Sequence, residues 1–216
     1  MEASTFVTRR FVLEAFKSPS GSIIPTLLIG DNLFVDKMRV GSRGDVIVFP
    51  LPEHPEDDFI KRVAATAGDR IEFEDSHPIL NGVRVPSCRL GAWSYEDDLQ
   101  HEGDLFVESI DGHTYLAFYD RTLPSHGHQG PWTVKPGEVF VIGDNRNNAH
   151  DSRVWYGGRG GGVPVATVSG VPFVVWLSVA DTGVVDWSRV GDPILPGSAA
   201  SLAPELARCL DTFRAR

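Results

Sequence analysis

The chain has 216 residues, a length that can bury one sizeable hydrophobic core and allows two compact lobes without requiring them. Hydrophobic residues make up 42% of it and charged residues 23%, as in ordinary globular proteins. The formal net charge of −9 argues against a nucleic-acid partner and against simple electrostatic docking on anionic lipid, because no basic stripe is available to neutralise phosphates.

The sequence shows no transmembrane helix. Its longest apolar stretch, residues 171–180, is about half the length of the roughly twenty residues that a span needs, so a buried strand is predicted there. Residues 1–17 are interrupted by charged side chains and predict a short strand or helix rather than a span or a signal peptide.

From residue 32 onwards the pattern is that of short β-strands separated by Gly-Asp and proline-rich turns. Such runs predict an antiparallel sheet rather than strands that alternate with helices. They lie at residues 33–35, 46–49, 60–63 and 70–73. Asn81-Gly82 is a strong signal for a two-residue hairpin turn between strands at 79–80 and 83–85.

The later part of the chain is less regular. Residues 86–133 are polar with short apolar patches, and residues 138–143 return to a strand pattern. From residue 198 on, apolar side chains recur at helical spacing and predict an amphipathic helix. Cys88 and Cys209 are either two free thiols or one disulfide, and the sequence leaves both open.

The strongest chemical signal is the pair Ser22 and Lys61. Ser22 ends a tight Ser-Gly-Ser turn, and Lys61 follows the hydrophobic pair Phe59-Ile60. A serine hydroxyl becomes a nucleophile when a base takes its proton, and a lysine amine can be that base only when neutral. Burial disfavours the ammonium form, so an apolar strand around Lys61 makes the two residues a candidate catalytic dyad.

Several segments resemble the type I signal peptidase family, the membrane-bound serine proteases that remove signal peptides from exported proteins. The match runs in order from about Phe11 to about Gly191. Its segments are a serine box at residues 18–31, a strand at 43–49, a lysine box at 61–69, a Gly-Asp-Asn-Arg box at 143–153, and closing strands at 174–178 and 187–191.

The resemblance implies an all-β protein with a large, coiled antiparallel catalytic sheet, a smaller β insertion and a short C-terminal helix. The catalytic core would comprise residues 1–85 and 134–196, the variable β insertion residues 86–133, and the helical tail residues 197–216. It also implies an endopeptidase that cleaves preproteins after small residues at −1 and −3, without a cofactor or a metal. Preproteins and a membrane surface are the expected partners, and the active site would lie on the periplasmic or extracytoplasmic face.

The resemblance assigns roles to individual residues. Ser22 would attack the scissile carbonyl and Lys61 would act as general base, while the Ser20 hydroxyl would join the Ser22 amide in an oxyanion hole. The residues expected to line the substrate pockets are Phe16, Ser18, Ile23, Leu27, Leu33, Phe59 and Ile60. Those expected to support the loop beside Lys61 through ion pairs and turn hydrogen bonds are Asp144, Asn145, Arg146, Asp151 and Arg153.

Three positions depart from the family pattern. Ala149 replaces a serine whose hydroxyl usually orients the lysine amine, which predicts a less well oriented Lys61 and a slower or more alkaline pH–rate profile. Ile23 replaces the usual methionine after the nucleophile and keeps the apolar surface. Ser18 stands where an aliphatic residue usually lines the pockets, so we expect a wider or more polar wall.

Family members also carry an N-terminal span just before the serine box, so this chain is either a soluble relative or starts upstream of residue 1.

Two other functions stay open. A catalytically degraded homologue would bind signal-peptide regions or a partner peptidase, and Ala149 favours it. A soluble protease of the self-cleaving repressor type is disfavoured because no DNA-binding segment is evident. His126 and His128 lack an indicated third metal ligand, so we expect loop histidines.

Overall fold

The computed structural model describes residues 13–180, 182–194 and 211, and these residues form mostly β-strands. In chain order the strands are β1 Leu13–Lys17, β2 Asp31–Asp36, β3 Val46–Leu51, β4 His54–Thr66, β5 Arg70–Glu74, β6 His77–Leu80, β7 Val83–Arg84, β8 Ser87–Glu96, β9 Gln100–Ile110, β10 His113–Asp120, β11 His128–Thr133, β12 Glu138–Ile142, β13 Val163–Pro164 and β14 Val171–Ser178. The remaining regular elements are 3-10 turns at Gly21–Ile23 and Val165–Thr167 and a helical turn at Trp155–Gly158.

The strands form four sheets, within which neighbouring strands run antiparallel. Their orders are β1-β2-β14, β13-β12-β4-β3, β11-β5-β6-β7 and β10-β9-β8. The predicted all-β, antiparallel fold is therefore confirmed. β14 occupies most of the apolar stretch that predicted a strand, and β1 forms within residues 1–17, of which residues 1–12 lie outside the described residues.

Strand β3 separates two hydrophobic clusters because its side chains alternate in direction. Val46 and Val48 pack into one cluster, and Ile47 and Phe49 pack into the other. The neighbouring strand β4 is buried throughout residues 60–65. A lysine on this part of β4 is therefore held in the core rather than on a solvated face.

The hairpin predicted at Asn81-Gly82 is confirmed. Strands β6 and β7 pair with Leu80 opposite Val83, which leaves two residues in the turn. Asn81 has φ 53° and Gly82 has φ 79°, the left-handed region that such turns require at both central positions.

The region predicted as an insertion, residues 86–133, divides between two sheets. Strands β8 to β10 form a three-stranded sheet of their own, whereas β11 pairs with β5 and so belongs with the earlier part of the chain. The backbone of β10 bonds directly to the Gly-Asp-Asn-Arg box, since Phe118 N donates to Asp144 O and Arg146 N donates to Phe118 O. The three-stranded sheet is thus fastened to the segment beside the candidate site.

The helical tail predicted for residues 197–216 lies outside the described residues, apart from residue 211. Cys88 is disulfide-bonded, and Cys209 lies outside the described residues. Within the described ranges, no helix is both long and apolar enough to cross a bilayer. The same part of the chain holds no group of three side chains that could bind a metal ion.

Candidate active site

The serine turn and strand β4 bring Ser22 and Lys61 into hydrogen-bond contact. Lys61 Nζ lies 2.8 Å from Ser22 Oγ and donates a second hydrogen bond, of 3.0 Å, to the carbonyl oxygen of Ile60. Ser22 belongs to the 3-10 turn, which is anchored by the buried side chain of Ile23. A base at hydrogen-bond distance from a hydroxyl is the arrangement that nucleophile activation requires.

Lys61 is only 2% exposed, and this burial governs its charge. Removal from water lowers its pKa from the ordinary value to about 8, although the carboxylates of Asp151 and Asp144 act in the opposite direction. At pH 7 about a tenth of a group with such a pKa is deprotonated, compared with well under a thousandth for a lysine in water. The amine can therefore accept a proton near neutral pH.

Ser20 supplies a second hydroxyl beside the candidate nucleophile. Its Oγ lies 3.2 Å from Ser22 Oγ, and its backbone is extended just before the 3-10 turn begins. A hydroxyl at this distance can turn towards an oxygen that develops negative charge next to Ser22.

The Gly-Asp-Asn-Arg box binds the serine turn through its backbone and one amide side chain. Asn145 N donates to Ser22 O at 3.2 Å, and Asn145 Nδ2 donates to Gly21 O at 3.1 Å. Gly143 passes so close to the Ser22 carbonyl that a Cβ at this position would collide with it. The position of the candidate nucleophile thus depends on a segment more than a hundred residues away in sequence.

Asp144 connects the box to strand β4. Its carboxylate accepts hydrogen bonds from Arg62 Nε at 2.7 Å and Arg62 Nη2 at 2.6 Å, and also from the hydroxyl of Thr26. Arg62 directly follows Lys61 and is equally buried, with its guanidinium 4.0 Å from the centroid of the Tyr115 ring. This fully paired charge holds in place the part of β4 that carries Lys61.

Arg146 reaches away from the dyad into the sheet β8–β10. Its guanidinium binds both carboxylate oxygens of Glu108, at 2.8 and 2.5 Å, and Glu108 also accepts hydrogen bonds from the hydroxyls of Tyr115 and Tyr119. Arg146 and Glu108 are both fully buried. Their bond joins the box to β9, the middle strand of the sheet β8–β10, which we call the insertion sheet.

Asp151 and Arg153 pair with each other inside the box. Arg153 donates to the Asp151 carboxylate at 2.8 and 2.7 Å, and Gly143 N donates to the same carboxylate at 2.9 Å. All five predicted support residues therefore lie in one buried network. Sequence reasoning missed two of their partners, Arg62 and Glu108, although each is a charged residue directly beside an apolar run of its strand and could have been noticed for that reason.

An open pocket of about 110 Å³ lies beside the dyad and is bordered by Ser22 and Lys61. Of the predicted lining residues, four border it: Ser18, Ile23, Phe59 and Ile60. The other three do not, because Leu27 and Leu33 are fully buried in the core cluster and Phe16 packs against that cluster. They support the pocket wall from behind.

Two polar groups modify this pocket. Ser18 is buried in its wall, and Asp58, which sequence reasoning missed, lies at its exposed rim. Partial burial and the nearby Glu14 carboxylate raise the pKa of Asp58. The wall is therefore less uniformly apolar than the predicted set of residues suggests.

A serine hydroxyl that faces a buried amine beside an open pocket is typical of serine hydrolases that use a lysine base. Comparison with known proteins identifies the family of this chain. The chain belongs to the signal peptidase family, peptidase S26, because a model of that family matches residues 2–177.

Individual relatives carry the same description. Signal peptidase I of Pseudomonas fluorescens is 32% identical over 210 residues, a match that covers 86% of this chain and 73% of the relative. Signal peptidase I of Aquifex aeolicus is 30% identical over 240 residues, covering 95% of this chain and 85% of the relative. The Pseudomonas aeruginosa enzyme is 31% identical over 210 residues, with the same coverage as that of P. fluorescens. The family identified from the sequence motifs is confirmed.

Proposed function

We propose that this chain is an endopeptidase that removes signal peptides from exported preproteins, with Ser22 as nucleophile and Lys61 as general base. Membership of the signal peptidase family supports the reaction. The hydrogen bond of 2.8 Å between Lys61 Nζ and Ser22 Oγ is the observation that carries the assignment of the two residues.

The proposed reaction has two halves. Ser22 Oγ attacks the scissile carbonyl carbon while the neutral Lys61 amine takes the hydroxyl proton, and the resulting ammonium then protonates the leaving amine as the peptide bond breaks. A water molecule next attacks the acyl-enzyme and gives its proton to Lys61. The ester bond to Ser22 breaks, Lys61 returns the proton to Ser22 Oγ, and the signal peptide leaves with a free carboxylate.

The negative charge on the carbonyl oxygen needs donors during both halves. We assign this role to the Ser22 backbone N–H and the Ser20 hydroxyl, whose oxygen lies 3.2 Å from Ser22 Oγ. Donors that point at a developing oxyanion are each worth about 3 to 4 kcal/mol of transition-state stabilisation.

The edges of two strands favour an extended substrate next to the dyad. Over the described part of the chain, β1 pairs only with β2, and residues 58–61 of β4 pair only with β3. The pocket that ends at Ser22 is bordered by residues 58–61 of β4 and by Ser18, which directly follows β1. An extended signal-peptide end would bond to such edges through its backbone and place alternate side chains, at −1 and −3, towards the same wall.

The experiment that tests this function is cleavage of a model preprotein with an Ala-X-Ala site, in lipid vesicles. We expect a single cut after the second alanine and at least about a hundredfold loss of kcat/KM with phenylalanine at −1, because the pocket of about 110 Å³ is too small for an aromatic side chain. Serine at −1 or −3 is expected to be accepted, since Ser18 and Asp58 place polar atoms in the wall.

The matched control is the same preprotein with phenylalanine at −2, a position that the pocket does not receive. Strict preference for alanine would contradict the proposed role of Ser18. Bound but uncleaved preprotein would support instead the catalytically degraded homologue, in which Ala149 fails to replace the usual serine.

We further propose that the protein meets the membrane through aromatic side chains, with its active site on the extracytoplasmic face. Phe34 of β2 and Trp176 of β14 stack at 5.5 Å and are both more than a third exposed. Trp187, in the loop after β14, is 75% exposed, and Val184 and Val190 of the same loop are also exposed. Aromatic side chains favour the headgroup region of a bilayer, and these exposed side chains need no net positive charge to bind there.

Replacing Trp176 and Trp187 together by alanine is expected to weaken binding to phosphatidylcholine vesicles by about a hundredfold or more, because each buried aromatic ring contributes about 1.5 to 3 kcal/mol. Vesicle flotation of the full chain measures this partition. Val83→Ala removes an exposed apolar side chain from the hairpin β6–β7, and binding should not change in that variant. Equal partition of the wild type and the double variant would contradict the proposed membrane surface.

A further inference from the structure

A second, larger cavity opens on the other side of the serine turn. Its volume is about 480 Å³, and it shares Pro19 and Ser20 with the pocket that contains the dyad. Gly21 and Asn148 also border it, so it directly adjoins the turn that carries Ser22. Ser20, whose Oγ lies 3.2 Å from Ser22 Oγ, therefore borders both spaces.

The outer wall of the cavity is the tip of the hairpin between β8 and β9. Tyr95, near the end of β8, borders neither pocket, but its hydroxyl accepts hydrogen bonds from Asn145 Nδ2 at 2.8 Å and Asn148 Nδ2 at 3.3 Å. Because Asn145 also binds Gly21, the hairpin tip and the serine turn are held by the same side chain. The cavity is therefore built by the sheet β8–β10 and the serine turn together.

The hairpin tip gives the cavity an excess of negative charge. Asp97, Asp98 and His101 border it, together with the apolar side chain of Leu99. His101 is held between Asp97 at 3.1 Å and Asp120 at 2.6 Å, so a protonated ring would offset one of these carboxylates. Burial alone would lower the pKa of His101, but the hydrogen bonds to Asp120 and Asp97 outweigh it and the pKa is raised. Asp98 is exposed and adds a further carboxylate.

We propose that this cavity binds the first residues of the mature protein, on the leaving side of the scissile bond, and favours basic over acidic side chains there. The inference rests on the proposed function, since it assigns the second half of the same substrate. A peptide bond cleaved at Ser22 has an acyl side and an amine side, and these must leave the nucleophile in different directions. The pocket bordered by Lys61, Phe59 and Ile60 takes the acyl side, which leaves the cavity beyond Ser20 for the amine side.

The test compares three peptides that share an Ala-X-Ala site and carry Lys-Lys, Gln-Gln or Glu-Glu at positions +1 and +2. At low salt the wild type is expected to cleave the Lys-Lys peptide with about tenfold higher kcat/KM than the Glu-Glu peptide, the size expected for partly solvated charge pairs. Raising the ionic strength to about 1 M, where the screening length falls to about 3 Å, should reduce this ratio towards one.

Asp98→Asn, alone and combined with Asp97→Asn, is expected to reduce the Lys-Lys to Glu-Glu ratio to twofold or less. Asparagine keeps the carbonyl oxygen that accepts the Leu99 N–H bond to Asp97, so the hairpin tip retains that contact. Glu102→Gln is the matched control, because Glu102 is an exposed acid on β9 outside the cavity lining, and its ratio should equal that of the wild type.

The outcomes separate the two proposals. Cleavage of the Gln-Gln peptide at the expected bond, with equal rates for all three peptides, would overturn the leaving-side site while the proposed function stands. A ratio that persists in Asp98→Asn and in the double variant would also overturn it, because the discrimination would arise elsewhere. If the wild type cleaves none of the peptides, the proposed function fails and this inference fails with it.

Discussion

Ser22→Ala and Lys61→Met are each expected to lower kcat for preprotein cleavage by at least a factor of about a thousand. The first removes the attacking oxygen and the second removes the base at 2.8 Å from it, and losses of this size or larger are usual when a nucleophile or its base is deleted. Methionine fills the volume of the buried lysine without introducing a charge, so the loss would not arise from a cavity in the core. The measurement is single-turnover cleavage with binding of the preprotein followed separately.

The matched control is Lys135→Met, which removes an exposed lysine before β12. Its kcat should equal that of the wild type. The double variant Ser22→Ala with Lys61→Met should be no slower than the single variants, because residues that act as one unit do not contribute additively. Residual activity within tenfold of the wild type in either single variant would contradict the proposed dyad.

The pH dependence of the wild type provides a second readout for the same dyad. The base must be deprotonated to act, so kcat/KM is expected to rise with pH and to level off above about pH 8, the pKa to which burial lowers Lys61. Because Ala149 lacks the usual hydroxyl, the sequence predicts a slower or more alkaline pH–rate profile. In the structure the Lys61 amine donates a hydrogen bond to the Ile60 carbonyl, which holds the amine. A profile that is already level at pH 6 would contradict Lys61 as the base.

The parts of this protein that the sequence predicts are those set by local pattern. Asn81-Gly82 specifies its hairpin because only a few residues tolerate two left-handed positions in succession. Strand β14 follows from a continuous apolar run. Ser22 and Lys61 could be named together because their flanking residues resemble a known family, and not because their separation in the chain implies contact.

The parts that the sequence does not predict depend on how distant segments pack. Leu27 and Leu33 are as apolar as Ile23, and only the course of the chain after the serine turn decides that Ile23 borders the pocket while the two leucines lie in the core. Asp58 was missed because a carboxylate is unexpected beside an apolar pocket. Its position at the exposed rim keeps the carboxylate in contact with water, which removes most of the free-energy cost of burying a charge. The cavity beyond Ser20 could not be foreseen because the irregular residues 86–133 give no sign of where the β8–β9 tip docks.

Glu108→Gln is expected to lower the free energy of unfolding by about 3 to 5 kcal/mol. The substitution keeps the shape of the side chain but removes the charge that faces Arg146, and a fully buried guanidinium without its carboxylate is strongly destabilising. Two tyrosine hydroxyls that donate to Glu108 would also have to rearrange around an amide. Urea or guanidinium denaturation of the two proteins measures the difference.

The comparison is Glu14→Gln, which removes one partner of the solvated ion pair between Glu14 and Lys37, and its effect should stay within about 1 kcal/mol. A loss below about 1 kcal/mol in Glu108→Gln would show that the buried pair contributes little to the fold. A large loss has a consequence for activity because of the two residues that precede Arg146. Asp144 binds Arg62, and Asn145 binds the serine turn. If the insertion sheet loosens at Glu108, Asn145 loses the neighbour that fixes it, Ser22 is held less firmly at hydrogen-bond distance from Lys61, and kcat should fall. The insertion sheet would then support the dyad indirectly, because it fixes the Gly-Asp-Asn-Arg box that hydrogen-bonds to the serine turn.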